Sequence, residues 1–270
     1  MIPEFSSYKV KIRDNEFTAP DGKKLSHTAA ISFFDKNRKE IHYQEMGYVD
    51  TQDLYNWIQQ GEPVDLDSCY VESFDMCKYR EQHGLDAESY VEIKDFSAQD
   101  AIFEAVHLSD FSYVKFTGKA VNMAGVQFMH GAVSFNCCHF SGKKVNLSGA
   151  NFRNGNLDFS NTVFEGGLNL KNSVIGPGVK NFQDAAFGDG DVLFANTTFN
   201  DGDISFINTN FGNGEFSFKV ATMGEGKVDF HYAIFADGDI SFERTEFGKG
   251  KFDFRKVEFG TGKVNFNRAI

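Results

Sequence analysis

The chain has 270 residues, including 31 phenylalanines and 26 glycines, and carries a formal net charge of -11. It contains no apolar run long enough to cross a bilayer and no N-terminal signal pattern, so we expect a cytoplasmic protein without membrane attachment. The acidity lies in residues 1–120, which hold 13 basic and 22 acidic residues, while residues 121–270 hold 14 and 16. Nucleic-acid binding requires a basic surface, so a nucleic-acid partner is not expected.

Residues 1–62 do not repeat, and their pattern predicts a small α+β unit. Alternating apolar residues predict three strands, over residues 8–12, 29–34 and 40–48. Asp50 or Thr51 is a suitable N-cap for a helix over residues 53–60, and Gly61 is suited to end it. We expect this unit to cap the next part of the chain and block edge-to-edge strand pairing; an independent binding domain is the alternative.

Residues 63–120 contain short apolar-x-apolar units, interrupted at residues 78–90 by a polar, charged insert. Inserts in repeat proteins emerge as loops on one face and are frequently where partners bind. We therefore treat the insert as a candidate partner-binding loop, with passive decoration as the alternative. Its candidate contact residues are Lys78, Tyr79, Arg80, Glu81, His83, Asp86, Glu88 and Tyr90.

From residue 121 to residue 270 the sequence repeats every twelve residues. One series of phenylalanines is spaced by twelve: Phe182, Phe194, Phe206, Phe218, Phe230, Phe242, Phe254 and Phe266. A second series follows five residues behind: Phe187, Phe199, Phe211, Met223, Phe235, Phe247 and Phe259. The only slip is one missing residue between Phe164 and Leu170. A fixed period of this kind indicates a solenoid.

Other columns of the repeat have equally regular chemistry. An apolar residue stands two positions before each first-series phenylalanine, which is a strand pattern with both side chains inward. Lys180 is the exception, and we expect either that Val179 replaces it in the core or that this coil is distorted. A small residue such as Cys138 stands two positions before the second phenylalanine, so a buried thiol is expected there. Three positions after the second phenylalanine stands a glycine, which suggests a corner with positive φ or close backbone approach.

The unit of five plus seven residues resembles the pentapeptide-repeat proteins, whose unit is small-(Asp/Asn)-Leu-x-x. The resemblance covers roughly residues 64–270, with phenylalanine in place of the central leucine. It implies an all-β solenoid, a right-handed quadrilateral β-helix in which two twelve-residue units make one 24-residue turn. Each coil is then stabilised only by its neighbours.

Three further features leave alternatives open. The chain stops inside a unit at Ile270 without a polar cap, which suggests either a homodimer stacked through this last coil or a fragment of a longer protein. A column of corner residues, Asp191, Glu215, Asp239 and Lys263, suggests a solvated corner, with calcium as the weaker alternative. Cys137 and Cys138 are adjacent and unsuited to a disulfide framework.

No catalytic, metal-binding or phosphate-binding motif is present, so we expect neither an enzyme nor a cofactor. The favoured function is a non-catalytic protein-interaction scaffold. In the resembled family some members protect type II topoisomerases, which makes a DNA-mimicking inhibitor or protector the alternative. A targeting module of a secreted effector is a further one.

Overall fold

A computed structural model describes residues 2–142, 144–153 and 155–270. The first elements are β1 (Ser7–Arg13), β2 (Phe17–Thr18), β3 (Lys24–Leu25), β4 (Thr28–Phe34), β5 (Glu40–Val49) and α1 (Thr51–Gln60). Next come β6 (Cys69–Val71), α2 (Met76–Gln82), β7 (Val91–Lys94), β8 (Ile102–Phe103), β9 (Leu108–Asp110) and β10 (Val114–Thr117).

The remaining strands are very short and recur along the rest of the chain. They are β11 (Gln127–Phe128), β12 (Ala132–Ser134), β13 (His139–Phe140), β14 (Val145–Asn146), β15 (Asn151–Phe152), β16 (Leu157–Asp158), β17 (Val163–Phe164), β18 (Leu168–Asn169), β19 (Val174–Ile175), β20 (Lys180–Asn181), β21 (Ala186–Phe187), β22 (Val192–Leu193), β23 (Thr198–Phe199), β24 (Ile204–Ser205), β25 (Phe216–Ser217), β26 (Thr222–Met223), β27 (Val228–Asp229), β28 (Ile234–Phe235), β29 (Ile240–Ser241), β30 (Phe252–Asp253), β31 (Glu258–Phe259) and β32 (Val264–Asn265).

These strands form the four faces of a β-solenoid of about nine turns. Face 1 runs from β6 through β8, β11, β15, β19 and β23 to β26, and face 2 runs from β9 through β12 to β30. Face 3 contains β7, β10, β13, β17 and β21, followed by β28 and β31, and face 4 runs from β14 to β32. All strands within the four faces pair in parallel, so the expected four-sided, all-β solenoid is confirmed.

Neighbouring coils pair with a spacing of 24 residues, as Gln127 with Asn151 on face 1 and His139 with Val163 on face 3. Across the missing residue the spacing falls to 23, for example between Val145 and Leu168 on face 4. It then returns to 24, with Leu168 opposite Val192. The slip is therefore absorbed once, and the phenylalanine columns stay in register.

The core is a set of phenylalanine stacks that run along the solenoid. The ring centroids of Phe135 and Phe159 are 4.8 Å apart with their planes 5° from parallel, and those of Phe116 and Phe140 are also 4.8 Å apart. This distance matches the spacing of hydrogen-bonded strands, so each ring stack follows its backbone ladder. Aromatic pairs of this kind contribute about 0.5–1.5 kcal/mol beyond their buried area.

The column of small residues has a hydrogen-bonding role between coils. The Thr209 hydroxyl donates to the carbonyl oxygen of Phe182 at 2.7 Å, and the Thr245 hydroxyl donates to that of Phe218 at 2.9 Å. Each hydroxyl bonds a carbonyl 27 residues earlier, inside the core, where an unpaired polar group would be costly. Cys138 occupies the same column and is buried, as predicted.

Both reasons expected for glycine at the corners, positive φ and close backbone approach, are found in the structure. Gly202 has φ +117°, and a Cβ there would lie 2.0 Å from the carbonyl oxygen of Gly178 in the coil below. At Gly250 the constraint is contact alone, because a Cβ would lie 1.6 Å from the carbonyl oxygen of Gly226. A side chain at either corner would push adjacent coils apart.

The position of Lys180 corrects the prediction that Val179 takes its place in the core. Its side chain is fully buried in the inward position of face 2, whereas Val179 is 45% exposed and does not replace it. The Lys180 ammonium donates to the carbonyl oxygens of Asn200 and Asp201 at 2.7 and 2.9 Å. The core therefore accepts a lysine because the next corner supplies oxygen acceptors.

The N-terminal strands and helix agree with the sequence pattern to within two residues. Asp50 caps α1 by accepting from the Asp53 amide, and Gly61 ends the helix in the left-handed conformation. Buried residues of α1, including Leu54, pack into the same core as the coils. Strand β5 pairs in parallel with β6, which covers the first strand edge of face 1.

Strands β1 and β4 do more than cover an end. They extend face 1 as an antiparallel sheet and then fold back over its outer surface. There Phe33 packs in a second core with Tyr70, Ile102 and Met129. Face 1 is thus buried on both sides in its first coils.

Candidate functional site

The insert predicted from residues 78–90 is divided into a buried anchor and an exposed tip. Residues Met76–Gln82 form α2, so the prediction of a loop was wrong for this part. Asp75 caps the helix by accepting from the Lys78 amide. The apolar side of α2 buries Met76 and Tyr79 against the core, which fixes the helix to the solenoid.

Arg80 is the main polar anchor of α2. It is 2% exposed, and its guanidinium donates to the Ser112 carbonyl at 2.7 Å and to the Ser112 hydroxyl at 3.0 Å. The Asp110 carboxylate lies 3.6 Å away and is also buried. A buried guanidinium is tolerated because this carboxylate compensates its charge and the Ser112 oxygens accept from Nη1 and Nη2, although its Nε has no hydrogen-bond partner among the described residues.

Of the eight predicted contact residues, two are buried, one is half-buried and five are exposed. Tyr79 and Arg80 are buried, and the Tyr79 ring packs edge-on against Tyr55 of α1 at 5.1 Å. They cannot contact a partner while α2 stays docked. His83 is half-buried and its Nδ1 lies 2.8 Å from the Tyr79 carbonyl. The exposed ones are Lys78, Glu81, Asp86, Glu88 and Tyr90.

We call residues 84–90 the insert tip. Its two large apolar side chains point to solvent: Leu85 is 43% exposed and Tyr90 is 57% exposed. The Tyr90 ring lies 5.8 Å from that of Tyr113, edge to face, so it is held against the solenoid corner. Asp86 and Glu88 give the tip a charge of -2.

A second candidate site, which is concave, lies where the N-terminal segment meets the outer surface of face 1. We call it the junction cleft, a cavity of about 570 Å³. Its principal lining residues are Phe5, Tyr8, Tyr70, Glu104, His130 and Arg153.

A short hydrogen-bond chain crosses one side of the junction cleft. The Tyr8 hydroxyl donates to Glu104 Oε1 at 2.6 Å, and His130 Nε2 lies 2.6 Å from the same hydroxyl. Because a tyrosine has one hydroxyl proton, His130 Nε2–H is the donor in the second bond. Burial and the neighbouring Glu104 carboxylate raise the pKa of Tyr8.

The junction cleft was not predicted from the sequence. Tyr8, Glu104, His130 and Arg153 are spread over 146 positions, so no local motif joins them. One signal was available: Ile102 and Met129 are apolar at outward positions that later coils fill with polar residues such as Asn151. Apolar outward positions indicate that another element covers the sheet.

The last described coil, residues 247–270, exposes a third candidate surface. Its aromatic side chains Phe259 and Phe266 are 52% and 49% exposed, and Ile270 is 79% exposed. Together with Phe254 and Val264 they form what we call the end face. The coil holds six basic and two acidic residues, so this apolar surface is surrounded by net positive charge.

The acidic corners have a structural use. Asp203 Oδ1 accepts from the Lys227 amide at 2.7 Å, and Asp239 Oδ1 accepts from the Lys263 amide at 2.8 Å. Asp191 accepts from the Glu215 amide at 3.2 Å. Each carboxylate therefore bonds the backbone of the next coil, 24 residues on. In residues 2–142, 144–153 and 155–270, no group of three or more His, Cys, Asp or Glu side chains has a metal-binding arrangement.

The four cysteines are free thiols. Cys69 and Cys138 are buried, and burial raises the pKa of Cys69 to about 11. A buried thiol with a raised pKa is a poor nucleophile. Within the described part of the chain, no helix has the length and apolar character needed to span a membrane.

Residues 129–174 match the family model of pentapeptide repeats (9 copies). This match lies within the four-sided solenoid and confirms the pentapeptide repeats predicted from the sequence. Neither the curated proteins nor the solved structures provide a match to it.

Proposed function

We propose that this repeat scaffold is a non-catalytic protein-interaction module that acts in the cytoplasm. Four free cysteines are consistent with a reducing compartment. The observation that carries the proposal is the insert tip: exposed Leu85 and Tyr90 on a segment fixed by the buried Arg80. A preorganised apolar contact loses little conformational entropy on binding.

The chemistry of the insert tip indicates the kind of partner. An aromatic and an aliphatic side chain favour an apolar pocket, since aromatic anchors dominate many interfaces. Asp86 and Glu88 beside them favour basic groups at the border of that pocket. We therefore propose a protein partner with an apolar pocket bordered by lysine or arginine.

A capture experiment tests this proposal. The double variant Leu85→Ser/Tyr90→Ser removes the apolar contacts while Tyr79 and Arg80 keep α2 in place. The control is Val174→Ser/Tyr232→Ser, which changes residues of similar exposure, 41% and 46%, elsewhere on the solenoid. We expect one protein captured from the native cell lysate by wild type and control to be lost from the tip variant. Equal capture by all three proteins would contradict the proposal.

The end face favours a second candidate, a homodimer that forms through the last coil. Half-exposed Phe259 and Phe266 and the unpaired strand edges around them would be covered by a second copy. The net positive charge of both copies opposes this association. Self-association would thus depend on apolar burial rather than on charge.

The DNA-mimicking alternative requires carboxylates free to face a topoisomerase. Here Asp203 and Asp239 accept backbone hydrogen bonds, and a lysine follows each of them in the next coil, Lys227 after Asp203 and Lys263 after Asp239. These features favour the scaffold proposal. Neither the insert tip nor the end face favours the targeting module of a secreted effector in particular.

A further inference from the structure

The junction cleft is lined by apolar and by charged side chains. Phe5, Val10 and Met129 are apolar, and Arg153 brings guanidinium donors to the same cavity. A concave site with apolar walls and a few convergent polar groups is the usual form of a small-molecule site. It lies on the outer surface of face 1, and its residues are separate from those of the insert tip.

Arg153 is a positive charge of the cleft without a bonded counterion among the described residues. Its guanidinium lies 3.7 Å from the centroid of the Phe5 ring, so one face is covered by an aromatic side chain. Among the described residues no carboxylate is within 4.0 Å of it. Partial burial lowers the pKa of Arg153, while the charge of Glu4 acts in the opposite direction. A partly buried cation without a bonded counterion is stabilised by an anion.

Glu104 bonds to Tyr8 and not to Arg153. Its Oε1 accepts from Tyr8 and lies 3.8 Å from His130 Nε2, while its Oε2 has no hydrogen-bond partner among the described residues. It therefore does not satisfy the guanidinium fork of Arg153, whose geometry matches carboxylate or phosphate oxygens.

We propose that the junction cleft binds a small organic anion. Its carboxylate or phosphate head is held by Arg153, and its apolar part lies along Phe5, Val10 and Met129. Carboxylic acids and phosphate esters both carry an anionic head group of this kind. The size of the cleft, about 570 Å³, suits a ligand with one or two rings.

Methionine-methyl NMR of the full chain tests the proposal with defined probes. The chain has six methionines, of which Met129 lines the cleft and Met223 lies in the distant core. Phenylacetate and phenyl phosphate are titrated separately, with phenylacetamide as the uncharged match. We expect at least one anion to shift Met129 and leave Met223 unchanged, with an affinity at least about tenfold above that of the amide. The responding anion identifies the head group.

Substitutions at Arg153 complete the test. Arg153→Gln should weaken anion binding by about tenfold or more, and Arg153→Lys, which keeps the charge without the fork, should fall between. The matched control is Arg255→Gln, an exposed arginine paired with Asp253 in the last coil, which should leave the affinity unchanged. No Met129 response to either anion at millimolar concentration, equal binding of the amide, or undiminished binding by Arg153→Gln would overturn the proposal.

Discussion

At the scale of single residues, Lys180 is a buried base in an otherwise aromatic core. Its ammonium bonds two carbonyl oxygens of the next coil. Burial lowers the pKa of Lys180 to about 8, although Asp201 and Asp203 act in the opposite direction. The folded chain therefore releases this proton at a lower pH than the unfolded chain does.

This difference predicts a pH dependence of stability. Between about pH 8 and the ordinary lysine value of 10.5, the unfolded chain binds a proton that the folded chain has released. Lys180 should therefore contribute an increase in the free energy of unfolding as pH rises through this window. Buried thiols such as Cys69, whose pKa is raised, act in the opposite direction, so the contribution is measured as a difference. Urea unfolding at intervals across the window should show the free energy of unfolding of wild type rising relative to that of Lys180→Met.

The control for this prediction is Lys219→Met, because Lys219 is half-exposed and pairs with Glu243 at 2.9 Å. The free energy of unfolding of Lys219→Met should have the same pH dependence as that of wild type. If the curves of wild type and Lys180→Met stay parallel across the window, Lys180 is not the group responsible.

The sequence predicts the inward columns well because they repeat with a fixed period. It does not predict the left-handed residues two positions after the first-series phenylalanines, at Asn161, Asn196, Val220 and Tyr232, all with φ near +60°. Asparagine is common in this conformation, but valine and tyrosine are not. The turn is therefore imposed by the stacked coils, and local sequence preference alone could not reveal it.

At the scale of elements, α2 shows why a polar insert can be structurally ordered. Its charged residues suggest a loop, but the three-residue spacing of Met76 and Tyr79 places them on one helix face toward the core. The segment is too short for periodicity to be decisive from sequence. Burial of Arg80 depends on Asp110 and Ser112, which are 30 and 32 residues away in the sequence, and this could not be predicted.

Removal of the Arg80 anchor should loosen α2 before the coils unfold. Arg80→Met leaves buried Asp110 without its cation and Ser112 without two donors, so we expect a loss of about 3 kcal/mol of stability in this region. Hydrogen exchange measured by mass spectrometry should show faster exchange at residues 76–90. Arg80→Lys, which keeps the charge, should lie between the two.

Uniformly faster exchange over all coils would contradict a local anchor. So would an unchanged exchange rate at residues 76–90. Peptides from face 4, which begins at β14 (Val145–Asn146), are the internal reference.

At the scale of the whole molecule, the solenoid has a charge gradient. Residues 1–120 carry a net charge of -9, whereas the last coil, residues 247–270, carries six basic and two acidic residues. Two last coils brought together would place like charges near each other while burying their aromatic side chains. Salt screens the repulsion but does not weaken apolar burial.

A homodimer through the end face should therefore strengthen as salt concentration rises. Sedimentation velocity should show more dimer at high than at low ionic strength, and Phe259→Ser/Phe266→Ser should remain monomeric in both. Val163→Ser, an exposed apolar residue on face 3, is the control and should behave as wild type. Monomer at every concentration and ionic strength would contradict the dimer.

The period predicts a solenoid, and the resemblance to pentapeptide-repeat proteins adds the four faces and the 24-residue turn, because each coil contacts the next in the same way. It does not predict the fold of β1 and β4 over face 1, since Phe33 and Met129 meet only in three dimensions. The repeat pattern therefore does not predict the junction cleft. The insert was recognised because it breaks the period, and only its exposed part remains a candidate contact.

Site-specific photo-cross-linking tests most directly whether binding specificity lies at the insert tip. A benzophenone amino acid is placed at Tyr90 in one protein and at Tyr232, an exposed tyrosine far along the solenoid, in the other. We predict one cross-linked partner protein from position 90 and none from position 232, with the product lost when Leu85→Ser is added. The same partner captured at position 232, or no cross-link at position 90, would contradict the account.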